Sequence, residues 1–288
     1  MTPLSLEAPA KLNLSLRVVG RRADGFHLLE TQMVLLELAD RLLLLPGAPG
    51  LRLEAPPEDD IPVDESNLAW LGLVAGLGGR PELACLALEK RIPAGAGLGG
   101  GSSDAAAAWR LGRRAAGLPD APTPADVISL ATLGADVPFF AAGAAAATVT
   151  GIGEVVTPLD APPPDHVVLA LPAFRLSTAA VFGELRATDL GAERHGGNDL
   201  LAPAMRLRPE LGDLMREVSH AGGEPRLTGS GSTIFALTDD GERAAAIAAG
   251  LRGRQVRVSL TRLRREPAQI VELGESAQDA GASASSMG

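Results

Sequence analysis

The sequence predicts an α+β protein built from two units, and three observations carry that reading. Strand-like and helix-like stretches are both present but do not alternate strictly, which argues against a doubly wound parallel sheet. Five glycines fall between positions 95 and 101, set between an apolar strand-like stretch and an alanine-rich helical one. A proline cluster, Ala161-Pro162-Pro163-Pro164-Asp165, interrupts the chain, and the pattern restarts beyond it. Residues 1–160 are therefore expected to form the first unit and 161–270 the second. Residues 271–288, running into Ala, Ser and Gly, are expected as a disordered tail.

Each element has a local reason. Residues 10–18 alternate polar and apolar, so a half-buried strand puts Lys11, Asn13 and Ser15 on one face. Gly20 to Gly25 is a turn, Phe26 and His27 follow, and 30–38, 41–45 and 51–54 read as strands. Ser66 precedes a helix. The stretch 83–92 is a strand, and a helix follows the glycines from Asp104. Thr123-Pro124 opens a helix over 125–133. Residues 134–138 turn into an apolar segment, and strands at 145–149 and 154–157 flank Gly151-Ile152-Gly153. In the second unit, 166–171 is a strand and Ser177 begins a helix to Leu185. Helices follow Gly196-Gly197-Asn198 and span 209–221. A hairpin joins 226–228 to 233–237 around Gly229-Ser230-Gly231. Asp240 caps a helix to Leu251, and 255–260 is the last expected strand.

Composition excludes several function classes. A net charge of −9 and a pI near 5.0 argue against nucleic acid or an anionic membrane as partner. Cys85 is the single cysteine, so neither an intrachain disulfide nor a cysteine metal cluster is expected. The N-terminus lacks a basic stretch ahead of an apolar core, and the long uncharged run 137–153 is short for a membrane span. The chain reads as cytoplasmic. Its 46% hydrophobic content supplies a sizeable core.

The stretch from Pro93 to Ala106 has the layout strand, glycine loop, helix. Glycines let backbone N–H groups approach a ligand closely, and a helix N-terminus adds unpaired donors and partial positive charge. Together they make a phosphate site. A P-loop would need lysine at position 101, where glycine stands. A dinucleotide fingerprint fits Gly95, Gly97 and Gly100, but the acid at the required distance, Asp120, sits in the loop Leu118-Pro119-Asp120-Ala121-Pro122 rather than at a strand end.

Phosphoryl transfer also needs a group to take the acceptor's proton and positive charge on the transferring phosphoryl. Asp136, held between Ala135 and Val137 before an apolar segment, is the candidate base. Lys11 is the candidate cation, one of only two lysines, with Lys90, in a chain of 24 arginines. Lysine offers a compact charge where arginine offers a planar fork, so a retained lysine marks a geometric need. For Lys90 the sequence leaves two readings open, a functional lysine or one that only ends the strand before the loop, and Asp104 is expected to act as an N-terminal helix acid without a ligand role. Phe26 and His27 leave one loop together, offering a stacking plane and a hydrogen-bonding edge that suit a base.

Pro9-Ala10-Lys11-Leu12-Asn13-Leu14, Arg22-Ala23-Asp24-Gly25-Phe26-His27, the glycine loop, Leu133-Gly134-Ala135-Asp136-Val137-Pro138 and Thr228-Gly229-Ser230-Gly231-Ser232 occur in this order. In that series the chain resembles the GHMP kinases, the family of galactokinase, homoserine kinase and mevalonate kinase. The resemblance implies a two-domain fold: an N-terminal domain like the second domain of ribosomal protein S5 and a ferredoxin-like C-terminal domain. It implies ATP and Mg²⁺, with the phosphates at Pro93, Ala94, Gly95, Ala96, Gly97, Leu98, Gly99, Gly100, Gly101, Ser102 and Ser103, and a nucleotide contact from Asn67; no Mg²⁺ ligand is assigned. It makes Asp136 the base and Lys11 its partner. The Asp-Gly-(aromatic)-His element resembles that of members whose small-molecule substrate carries cytidine diphosphate. Cytosine would then stack on Phe26 and pair with His27, with Phe182 on its other side, Thr178 nearby and Asn13 at the acceptor end. Those members often have tyrosine at position 26, and this chain has no tyrosine at all.

Overall fold

The structure, a computed structural model, describes residues 2–56, 61–80, 84–160, 162, 166–191, 197–253 and 256–274. Most of the proline cluster and residues 275–288 of the expected tail lie outside these residues.

Two long antiparallel strands open the first sheet, β1 (Leu4–Arg21) and β2 (His27–Pro46). The stretches 30–38 and 41–45, expected as separate strands, form one. Asp40 between them is fully buried, with its carboxylate supplied with partners inside the fold, so its polarity does not break the strand. β3 (Gly50–Glu54) runs parallel to β4 (Ala84–Glu89), which pairs with the second half of β2. β5 (Ala146–Gly151) pairs with the first half of β2 and with β6 (Val155–Pro158).

Helices α1 (Leu68–Gly76) and α2 (Gly100–Ala115) cover this sheet. They cross so closely that a Cβ on Gly72 would lie 2.1 Å from the Ala105 carbonyl oxygen. Leu6, Leu42, Leu44, Leu73, Leu86 and Leu111 are buried between the layers, each contributing about 1.5–3 kcal/mol. α3 (Pro124–Ala131) starts from a reciprocal Thr123–Asp126 cap, and α4 (Val137–Ala141) buries Phe139 and Phe140 against Trp109 and Val149.

The second sheet is antiparallel. Its part of the chain runs β7 (His166–Pro172), α5 (Thr178–Gly183), α6 (Leu201–Leu207), α7 (Glu210–His220), β8 (Arg226–Leu227), β9 (Ile234–Thr238), α8 (Gly241–Gly250) and β10 (Val256–Arg262), and only the strands form the sheet. Its strand order, β10-β7-β9-β8, is ferredoxin-like. A shared cluster of Leu12, Val34, Leu36, Leu98, Leu169 and Phe235 joins the two sheets, and the glycine loop sits at that seam.

Beyond β10 the chain returns to the first sheet. Leu263 bridges to Leu36, the Arg264 N–H donates to the Leu35 carbonyl at 2.8 Å, and Ala268 and Ile270 enter the cluster under α1 and α2. β11 (Val271–Glu272) pairs with β1 at Leu4 and Ser5. Residues 271–272, expected at the head of a disordered tail, are therefore a strand, held because the edge of β1 supplies backbone partners. Among the described residues no helix is long and apolar enough to cross a membrane.

Candidate functional site

The glycine loop leaves β4 and enters α2. Gly95, Gly97 and Gly99 have φ of +68°, +79° and +72°, a region that side chains rarely tolerate. Gly99 is the N-cap of α2, and no acid occupies the first turn, so the helix's positive end is open. Alternate carbonyls are held outside the cradle. The Lys11 N–H donates to Leu98 at 3.0 Å, and the Thr233 hydroxyl donates to Ala96 at 2.7 Å. Residues 93–102 line a cleft of about 540 Å³ together with Pro62, Asn67, Lys90, Asp104 and Thr178. A Cβ on Gly99 would meet Phe140 at 2.9 Å and Lys11 at 3.0 Å. The cradle is thus shaped for a ligand that only bare backbone can approach, which fits the triphosphate of ATP. Ser103, expected with the phosphate ligands, instead points inward. It is 1% exposed and its hydroxyl has no partner, because the helical turn rotates it away from the cleft.

Asn67 stands at the cleft wall, but its side chain is engaged. Its Oδ1 caps α1 by accepting from the Ala69 N–H at 2.9 Å, and its Nδ2 donates to the Pro62 carbonyl at 2.6 Å.

Lys11 and Asp136 come together across 125 positions of sequence, with Nζ 3.3 Å from Oδ2. Lys11 is buried and also donates to Asn13 Oδ1 at 2.6 Å. Asn13 is fixed in turn by Thr31 at 2.8 Å and, through its backbone N–H, by Thr228 at 3.0 Å. Asp136 is the N-cap residue of α4 yet makes no cap hydrogen bond, so its carboxylate is left to Lys11. Among the described residues no group of three or more metal-ligating side chains assembles. Mg²⁺ fits such a site as an ion held chiefly by nucleotide phosphates plus one carboxylate, and Asp136 is the acid at hand.

His27 stacks on Phe182 with ring centroids 5.0 Å apart and planes 21° apart. The Phe182 face is therefore taken by His27, while Phe26 is 60% exposed. Burial, with Arg21 nearby, lowers the His27 pKa, so the neutral ring offers one donor and one acceptor at neutral pH. Thr178 lies one turn before Phe182, in the cleft wall, hydrogen-bonded to Ser230 at 2.9 Å.

The sequence reading missed two features. Arg175 lies against Gly95 at the loop mouth, its Cδ 3.0 Å from where a Cβ would sit. Lys90, whose role the sequence left open, is buried between Asp40 and Asp104, and Asp104 is the fifth residue of α2 rather than its first. The lysine scarcity was a signal for both lysines. A larger groove of about 760 Å³ on the far face holds Arg41, Arg91 and Arg264. Arg264 and Arg91 pair there with Glu7 and Glu89, which makes it a solvated charge ladder.

Comparison with known proteins agrees with this geometry. Residues 69–144 match the GHMP kinases N terminal domain and residues 179–257 the GHMP kinases C terminal model. A 4-diphosphocytidyl-2-C-methyl-D-erythritol kinase of Dinoroseobacter shibae is 38% identical over 282 residues, covering 88% of this chain and 91% of that protein. One of Thermus thermophilus is 39% identical over 266 residues, covering 85% and 91%. A crystal structure of 4-(cytidine 5'-diphospho)-2C-methyl-D-erythritol kinase superposes with a TM-score of 0.73 at 36% identity, covering 90% of this chain and 98% of that one. Homoserine kinase of Cytophaga hutchinsonii shares the fold, with a TM-score of 0.69 at 16% identity. With the seam-bound glycine loop, the two sheets and relatives spanning most of its length, the chain belongs to the GHMP kinases, in the 4-diphosphocytidyl-2-C-methyl-D-erythritol kinase family.

Proposed function

We infer that this chain phosphorylates the 2-hydroxyl of 4-diphosphocytidyl-2-C-methyl-D-erythritol with ATP, giving the 2-phosphate and ADP, in the non-mevalonate route to isoprenoid precursors. The observation that supports the chemistry most is the Lys11–Asp136 pair at 3.3 Å, with Lys11 packed beside Gly99 of the phosphate cradle. The donors of residues 93–102 and the start of α2 bind the triphosphate. Asp136 accepts the proton of the 2-hydroxyl as its oxygen attacks the γ-phosphorus and ADP leaves. Lys11 orients Asp136 and places positive charge where the transferring phosphoryl becomes negative, and Asn13 holds Lys11 in register. Asp136 is the acid that would help hold a Mg²⁺ brought in on the nucleotide phosphates, and that ion would supply charge neutralisation on the leaving group. At the far end the exposed Phe26 ring stacks on cytosine, and neutral His27, braced by Phe182, pairs with its edge.

ADP release measured with the cytidine substrate, homoserine, mevalonate and galactose tests the assignment. Turnover with the first and not the others is expected; efficient turnover of homoserine or mevalonate sinks it. Asp136→Asn should lower kcat by about 10²–10⁴ with ATP affinity little changed, as expected of a general base. A loss under about tenfold would demote Asp136 to positioning.

A further inference from the structure

Beneath the glycine loop lies a charged cluster that the chemistry above does not use. Asp40 on β2 is 0% exposed, Asp104 on α2 3% and Lys90 8%. Lys90 Nζ bridges the two carboxylates, bonding Asp40 Oδ2 and, at 2.6 Å, Asp104 Oδ2. The other Asp40 oxygen accepts from two successive backbone N–H groups, Arg91 at 2.5 Å and Ile92 at 2.8 Å. Those N–H groups lie just past the end of β4 at Glu89, where the strand ladder no longer provides acceptors.

The cluster's partners are what give it meaning. Arg91 and Ile92 are the residues by which the chain enters the glycine loop, and Asp104 lies in the helix by which it leaves. Lys90 Nζ sits directly under the exit, 3.3 Å from where a Cβ on Gly100 would stand. Burying three ionisable groups is costly, and apolar residues of similar volume would serve a purely structural core as well. A loop containing five glycines, however, has many conformations to lose when it closes on phosphates.

We propose that Asp40, acting through Lys90, is a positioning residue for the nucleotide: it staples the entry and the exit of the glycine loop so that the cradle is already formed when ATP arrives. The proposal rests on the kinase reading, because it supposes that ATP occupies this cleft. The staple lowers the ordering cost of binding, so its loss appears in affinity. It also explains why Lys90 is a lysine. A guanidinium would bring a wider planar fork into the narrow space between Asp40, Asp104 and Gly100.

ATP binding to the full chain, measured by calorimetry, together with hydrogen exchange of amides 93–101 without nucleotide, tests this. Asp40→Asn should raise the Kd for ATP about tenfold or more and speed exchange across the loop, with the loss falling on KM for ATP more than on kcat. If Asp40→Asn, which leaves Lys90 to Asp104 alone, does not fold, Asp40→Asn with Lys90→Met removes the buried ammonium and should show the same rise in Kd. A Kd within about twofold of the parent in either folded variant, with unchanged loop exchange, overturns the staple. Failure of the parent chain to bind ATP would instead overturn the kinase reading, and the exchange measurement still decides the staple.

Discussion

Lys11 shows how much chemistry one side chain can carry when its surroundings leave no freedom. Its ammonium touches Asp136 and Asn13, its stem lies against Gly99, and it is 4% exposed. An arginine there keeps the charge but needs room for a planar fork. Lys11→Arg should therefore fold, with a melting temperature close to the parent, while kcat falls on the order of 10²-fold, the cost of about an ångström of misplacement. Steady-state kinetics beside a thermal melt checks this, and parent-like turnover would reduce the lysine scarcity to codon usage. Lys11, Asp136, Phe26 and His27 were legible because each residue type is unusual where it stands. Asp40 was not, since an acid inside an apolar strand looks like a break until its partners 50 positions away are known.

At the scale of elements, α2 opens its N-terminus onto the cleft and buries Asp104 beneath it. Burial pushes the Asp104 carboxyl up to about 8, opposed by Lys90 and reinforced by Asp40. Burial alone would lower Lys90, but Asp104 and Asp40 outweigh it and hold it above its usual range. The sign follows from linkage. A carboxyl raised on folding favours the folded state below its unfolded value near 3.8, and that contribution is lost as pH rises through about 8. Asp104→Asn keeps the neutral form at all pH. The parent's melting temperature should thus fall between about pH 4 and 8 more steeply than the variant's and run level with it above that range, and parallel curves throughout would place the ionisation elsewhere. The glycine loop and the Thr123 cap could be read from sequence because turn and cap chemistry is local. The fusion of two expected strands into β2 could not, because it depends on what covers Asp40.

The whole molecule is organised by the seam. Gly97 lies against the backbone of the β8–β9 turn, and a Cβ there would come 2.5 Å from the Gly231 carbonyl oxygen and 3.1 Å from that of Thr228. The sequence marks Gly97 only as a member of the glycine loop. The structure instead makes Gly97 a contact between the two sheets at φ +79°. Gly97→Val should both abolish ATP binding and lower the melting temperature by several degrees, through strain and a forced separation of backbones. An unchanged melt would show that the seam yields. The ferredoxin-like sheet was within reach of the family resemblance, but the return of residues 263–272 was not legible, since two residues of strand carry no periodicity. That return has a consequence for how the protein is made. Both sheets precede it in the chain, so on the ribosome the first sheet must wait, its β1 edge unpaired at Leu4 and Ser5 and its cluster lacking Ala268 and Ile270, until the second sheet has emerged. The nascent chain is most open to edge-to-edge association during that interval, which closes only when β11 takes its place beside β1.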